Sequence, residues 1–68
     1  MKVLITGAAG VLGSNLVNLL INKGFEVVGM DIVRKEEAWR LENLDIKYIW
    51  KSSLDITRED VENFDLII

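Results

Sequence analysis

Gly7, Gly10 and Gly13 recur at every third residue in Thr6-Gly7-Ala8-Ala9-Gly10-Val11-Leu12-Gly13, and Asp31 follows eighteen residues later. Glycines at this spacing suit a phosphate. Gly7 can take the positive φ of a tight turn. Gly10, lacking a Cβ, lets a pyrophosphate approach its backbone, and Gly13 allows close helix–strand packing. The first N–H groups of a helix opening at Val11 and Leu12 would then face the anion. A carboxylate at Asp31 can accept the hydroxyl hydrogens of an adenosine ribose, whereas taken alone it is an acidic residue starting a loop. No Gly-Lys-Ser/Thr closes the glycine stretch, so it is not a P-loop. The chemistry expected is dinucleotide binding.

These residues need a strand, a helix and a second strand to hold them. Met1 to Thr6 is short and apolar on both alternations, as in a parallel strand covered on two faces. From Val11, the residues Leu12, Leu16, Leu19, Leu20 and Ile21 follow a helical period that ends at Lys23 and Gly24. Phe25 to Met30 reads as a second strand with Asp31 at its tip. Arg34 to Asn43 is expected as a second helix, with Glu36 and Arg40 paired at i, i+4 and Trp39 in the packing. Ile46, Tyr48 and Trp50 alternate with Lys47, Ile49 and Lys51, the pattern of a half-exposed edge strand. Thr57 is placed to cap a short helix with Glu59 and Asp60 in its first turn. Phe64 to Ile68 begins a fourth strand.

The Thr-Gly-x-x-Gly-x-x-Gly motif near the start, followed by this order of elements, resembles the extended short-chain dehydrogenase/reductases, the NAD-dependent epimerases and dehydratases among them. The resemblance implies an α/β fold. Residues 1–68 would be the N-terminal portion of a Rossmann domain, a parallel sheet of about four strands in order 3-2-1-4 with βαβ crossovers. It also implies a cofactor-binding set of Gly7, Gly10, Val11, Leu12, Gly13, Asp31, Ile32, Asp55 and Ile56. In such proteins an Asp and the aliphatic residue after it flank the adenine beyond the third strand, the place held here by Asp55 and Ile56. The family often has Gly before that Asp; here it is Leu54. NAD is the expected cofactor, because a ribose 2′-phosphate would meet Asp31 as a like charge. Arg34 and Lys35 stand near enough to keep NADP possible.

The family's chemistry is hydride transfer aided by a tyrosine base with a lysine four residues on. Tyr48 is the single tyrosine and has Ser52 at that position, with Lys51 one short. Ser52 and Ser53 have no histidine to activate them, and no catalytic residue is expected in this chain.

Composition narrows the function classes. The 68 residues carry a net charge of -3, against the basic face of nucleic-acid binders. Half are hydrophobic and 28% are charged, which excludes a disordered chain. Cysteine, histidine and proline are absent, which excludes disulfides and removes the commonest metal ligand. No metal site is expected, and the lack of cysteine fits the cytoplasm. Thr6 and the glycines interrupt the apolar start, and Asn15 and Asn18 break any membrane span. An apolar fourth strand at an open edge makes either a homo-oligomer or a fragment of a longer chain the expected partner state. Three functions fit: a cofactor-binding part of an enzyme acting on a nucleotide sugar or similar alcohol or ketone, a non-catalytic dinucleotide sensor, or a structural module.

Overall fold

A computed structural model describes all 68 residues. Four strands form one parallel sheet: β1 (Lys2–Thr6), β2 (Glu26–Asp31), β3 (Lys47–Trp50) and β4 (Leu66–Ile67), in the order β3-β2-β1-β4. This is the partial Rossmann sheet that the sequence implies. Helix α1 (Val11–Asn22) joins β1 to β2, and a four-residue helix, α2 (Arg58–Val61), precedes β4.

Val3, Leu4 and Ile5 of β1 are all fully buried, because both faces of the sheet are covered. Val3, Ile5 and Val27 join Val17 of α1 on one face. On the other, Leu4, Val28 and Met30 pack against Ile49, Ile56, Val61 and Phe64. β1 and β2 run in register from Lys2 opposite Glu26 to Thr6 opposite Met30, which brings the ends of both strands to the same level.

The side of α1 facing the sheet differs from the leucine stripe. Leu12 and Leu19 point outward, 75% and 50% exposed, and Gly13, Ser14 and Val17 are the buried residues. The helix lies so close to the glycine turn that only small side chains fit at its start. Leu16, Leu20 and Ile21 of the expected stripe pack against the core beside Val17. At its far end Gly24, at φ +87°, donates to Ile21 O (2.9 Å) and Phe25 N–H donates to Leu20 O (3.1 Å), a Schellman stop.

The helix expected from Arg34 to Asn43 does not form. Two single 3-10 turns, Lys35–Glu37 and Trp39–Leu41, take its place, separated by Ala38 at φ -84°, ψ 68°. Only Ala38 and Leu41 are buried there, too little apolar stripe to offset the cost of helix nucleation. Glu36 and Arg40 make no ion pair; the Arg40 guanidinium lies 4.2 Å from the Trp39 ring centroid instead. Trp39 is 63% exposed and does not pack in the core as expected.

Thr57 caps α2 as its sequence suggests. The Asp60 N–H donates to its hydroxyl (3.3 Å) and Thr57 N–H donates back to Asp60 Oδ2 (2.9 Å). Lys51 Nζ reaches the same carboxylate oxygen at 2.8 Å. That hydrogen bond from Lys51, then the one from Thr57 N–H, holds the Asp60 carboxyl below its ordinary range.

Candidate functional site at the strand ends

β1 ends at Thr6, and Gly7 turns the chain with φ +66°, a conformation that an L side chain strains to adopt. Gly10 N–H donates to Gly7 O (3.2 Å), closing the turn, and Ser14 N–H donates to Gly10 O (2.9 Å), opening the helix. A Cβ on Gly13 would lie 2.1 Å from Gly7 O and 2.9 Å from the Ala8 Cα. Gly13 therefore packs on the turn itself. A Cβ on Gly10 would meet nothing closer than Gly7 O at 3.5 Å, so its outer side is open.

Helix α1 starts without a side-chain cap and without an acidic residue in its first turn. The N–H groups of Val11, Leu12 and Gly13 have no acceptor within the chain. Three unpaired donors at the positive end of a helix dipole make a site for an anion. Val11 and Leu12 lie open to solvent, so an anion has access.

Asp31 is tied to this turn. Ala9 N–H donates to Asp31 Oδ2 (3.0 Å), and Val33 N–H donates to Oδ1 (3.1 Å). Ala8 N–H donates to Met30 O (3.2 Å), so two successive residues of the glycine turn are fastened to the end of β2. Each carboxylate oxygen of Asp31 keeps a lone pair for a further donor. A cleft of about 270 Å³ lies between these groups and the end of β3, lined by Gly7, Met30, Asp31, Ile32, Lys51, Ser52, Ser53 and Leu54. Its place, outside the carboxyl ends of parallel strands, is where open α/β sheets take ligands. A larger groove of about 340 Å³, lined by Ile21, Phe25, Val27, Ile46 and neighbours, lies at the opposite strand ends. It has neither free helix N–H groups nor a carboxylate aimed at a turn, so the smaller cleft is the chemical site.

Gly7, Asp31 and Ile32 line the cleft, and Gly10, Val11, Leu12 and Gly13 form the turn beside it. Asp55 and Ile56 lie past its rim. Asp55 ends a 3-10 turn (Ser53–Asp55) with its side chain exposed, and Ile56 packs on the Leu4–Val28–Met30 cluster. Residues 51–54 line the cleft although nothing in their types singles them out. Gly29 is a second addition. A Cβ there would stand 2.9 Å from the Ala8 Cβ, so this glycine lets the turn seat on β2. Glycine inside a strand is the signal that marks such a close approach.

Lys51 is held by Asp60, and Ser52 Oγ accepts from Leu54 N–H (3.1 Å). Tyr48 donates its hydroxyl hydrogen to Val33 O. Partial burial, reinforced by the Asp31 charge, pushes the Tyr48 hydroxyl from 10.0 up to about 12. A pKa raised in the folded state adds stability that is complete below pH 10 and fades as pH climbs through 12. As the chain has a single tyrosine, absorbance of tyrosinate reads this group alone. The folded protein should titrate near 12; an inflection at 10 would mean that the Tyr48 hydroxyl is solvated. No three His, Cys, Asp or Glu side chains come together as a metal site, and no helix is long and apolar enough to cross a membrane.

The model of the family described as GDP-mannose 4,6 dehydratase matches residues 4–68. Protein CapI of Staphylococcus aureus is 37% identical over 65 residues, 96% of this chain and 20% of CapI. A solved structure of a Lactobacillus casei protein superposes with a TM-score of 0.82 at 26% identity, over 98% of this chain and 31% of that one. TunA, described as an NAD-dependent NDP-hexosamine 5,6-dehydratase of tunicamycin biosynthesis, superposes with a TM-score of 0.72 at 26% identity. That match covers 97% of this chain and 22% of TunA. The chain thus spans between a fifth and a third of the length of these relatives.

Proposed function

The chain belongs to the GDP-mannose 4,6 dehydratase family, of the extended short-chain dehydrogenase/reductase type, and on that premise we propose that it binds the ADP-ribose half of NAD. One observation carries the reading: three unpaired N–H groups open α1 beside a turn whose Ala9 N–H is bonded to Asp31. Val11 and Leu12 N–H would donate to the pyrophosphate, over the open side of Gly10. Asp31 would accept the ribose hydroxyls, with Ile32 on one side of the adenine and Asp55 and Ile56 on the other. A 2′-phosphate would meet Asp31 as a like charge, which favours NAD over NADP. The nicotinamide, when bound, supplies a hydride acceptor.

TunA is described as NAD-dependent and as a dehydratase of an NDP-hexosamine, which supports a nucleotide sugar as substrate of the whole protein. Tyr48, Lys51 and Ser52 are engaged with Val33 O, Asp60 and Leu54 N–H, which supports a reading in which the chemistry is carried by residues other than these. The site works in the cytoplasm as the cofactor-binding part of an oxidoreductase or isomerase. Titration with NAD tests the site. Asp31→Ala should weaken binding at least tenfold, as expected when hydrogen bonds to a charged group are lost. Asp31→Asn, which keeps an acceptor for the turn, controls for folding. Unchanged affinity in both variants would remove Asp31 from the site.

Leu66, Ile67 and Ile68 are 44%, 44% and 43% exposed along the outer edge of β4. An apolar parallel edge is a template for another strand. The 68-residue chain by itself should therefore self-associate at micromolar concentration in sedimentation equilibrium. A single species at 7.7 kDa would defeat this expectation.

A further inference from the structure

We propose that Trp50 sets the choice between NAD and NADP by holding Arg34 away from the adenosine ribose, an inference that rests on the dinucleotide reading above. Trp50 lies opposite Asp31 in the β2–β3 register. Its indole Nε1–H donates to Ile32 O (2.7 Å), and the Tyr48 hydroxyl two residues earlier donates to Val33 O. Val33 N–H returns to the Asp31 carboxylate (3.1 Å). The segment after β2 is thus fastened to β3 at two successive carbonyls, and Arg34 leaves it at a defined point.

The Arg34 guanidinium lies 4.6 Å from the centroid of the Trp50 ring. It takes part in neither ion pair of the chain, Lys2–Glu26 or Lys51–Asp60, and donates no hydrogen bond within the protein. The indole face is its partner. Arg34, Lys35, Glu36, Tyr48 and Trp50 enclose a small cavity of about 190 Å³ next to the Asp31 segment. A guanidinium is the side chain best matched to a phosphate monoester, which it can bind with two parallel N–H bonds. Three residues beyond Asp31, an unheld arginine would be free to meet a 2′-phosphate and offset the repulsion from the carboxylate. Stacked on Trp50, it is withheld, and the Asp31 charge decides for NAD.

The test measures NAD and NADP affinities calorimetrically for the full chain and four variants. Trp50→Leu removes both ring and N–H, and should raise the NADP-to-NAD affinity ratio about threefold, the scale of one exposed cation–π contact. Trp50→Phe keeps a ring for the guanidinium and should leave the ratio near that of the parent. Adding Arg34→Gln to Trp50→Leu should cancel the gain. Arg34→Gln alone should barely move the ratio, because the guanidinium is already withheld. An unmoved ratio in Trp50→Leu, or an equal gain without Arg34, overturns the assignment. So does a specific loss of NADP binding of fivefold or more in Arg34→Gln alone, a result that does not depend on how Trp50 variants fold. If NAD binds the parent chain and the ratio fails to shift, only the role of Trp50 falls. If neither dinucleotide binds the parent chain, the functional reading falls too.

Discussion

Gly13→Ala should melt at a markedly lower temperature than the parent chain and lose dinucleotide binding with it. The added Cβ would sit 2.1 Å from Gly7 O, 2.8 Å from Gly7 C and 2.9 Å from the Ala8 Cα. All three are backbone atoms of a turn pinned to β2 through Ala8 and Ala9, so none can swing aside. Either the start of α1 lifts off the turn or the turn leaves the strand. Overpacking of this kind costs about 1–3 kcal/mol, and the better helix propensity of alanine returns at most about 1 kcal/mol of it. A domain of this length has a total stability of only about 3–10 kcal/mol. A fall in Tm on the order of 10 °C is expected by thermal denaturation. An unshifted Tm together with parental NAD affinity would show that the turn and helix are not in this contact.

For Gly10→Val the expectation is reversed: the fold survives and the site does not. Gly10 is the N-cap of α1 at φ -78°, ψ 177°, an extended conformation open to any residue. Its Cβ direction is free apart from Gly7 O at 3.5 Å, an ordinary contact. The structural cost is a poorer cap, at most about 1 kcal/mol. The two methyl groups, however, would occupy the space over the Val11 and Leu12 N–H groups through which an anion must come. NAD affinity should drop tenfold or more while the melting curve stays within a few degrees of the parent. Undiminished binding by a folded Gly10→Val chain would rule out the pyrophosphate position. The pair of variants separates two glycines that look alike in the sequence, one serving the packing of the turn and one the access of the ligand.

Much of the frame was legible before any coordinates. The glycine spacing marked the turn, since positive φ at Gly7 and at Gly24 is a demand that a residue type meets by itself. Thr57 announced its cap because cap and first turn are neighbours in the chain, while the return bond from Thr57 N–H to Asp60 was added by the structure. The apolar runs on either side of one helix marked a strand–helix–strand unit, and the resemblance carried by the glycine motif supplied the order that the sheet adopts. The errors fell where a local pattern competed with packing. Arg34 to Asn43 had helical residues but too little buried surface to make them a helix. In α1, Leu12 and Leu19 yielded the inner face to Gly13, Ser14 and Val17 while Leu16 and Leu20 kept their place against the core.

What the sequence determined by itself was the set of conformations its neighbours in the chain impose: where the backbone must turn, where a helix starts and stops, and which runs prefer to be strands. Only the tertiary structure decided which of these came to touch. The Ala9 N–H on Asp31, the Ala8 methyl over Gly29, and the Trp50 indole under Arg34 each join residues sixteen or more positions apart. None carries a periodic signal, because each contact follows from the register between parallel strands. That register is held by the packing of both faces. A slip of one residue in β2 would take Val27 out of its cluster with Val17 on one side and Val28 and Met30 out of theirs with Ile49, Ile56, Val61 and Phe64 on the other.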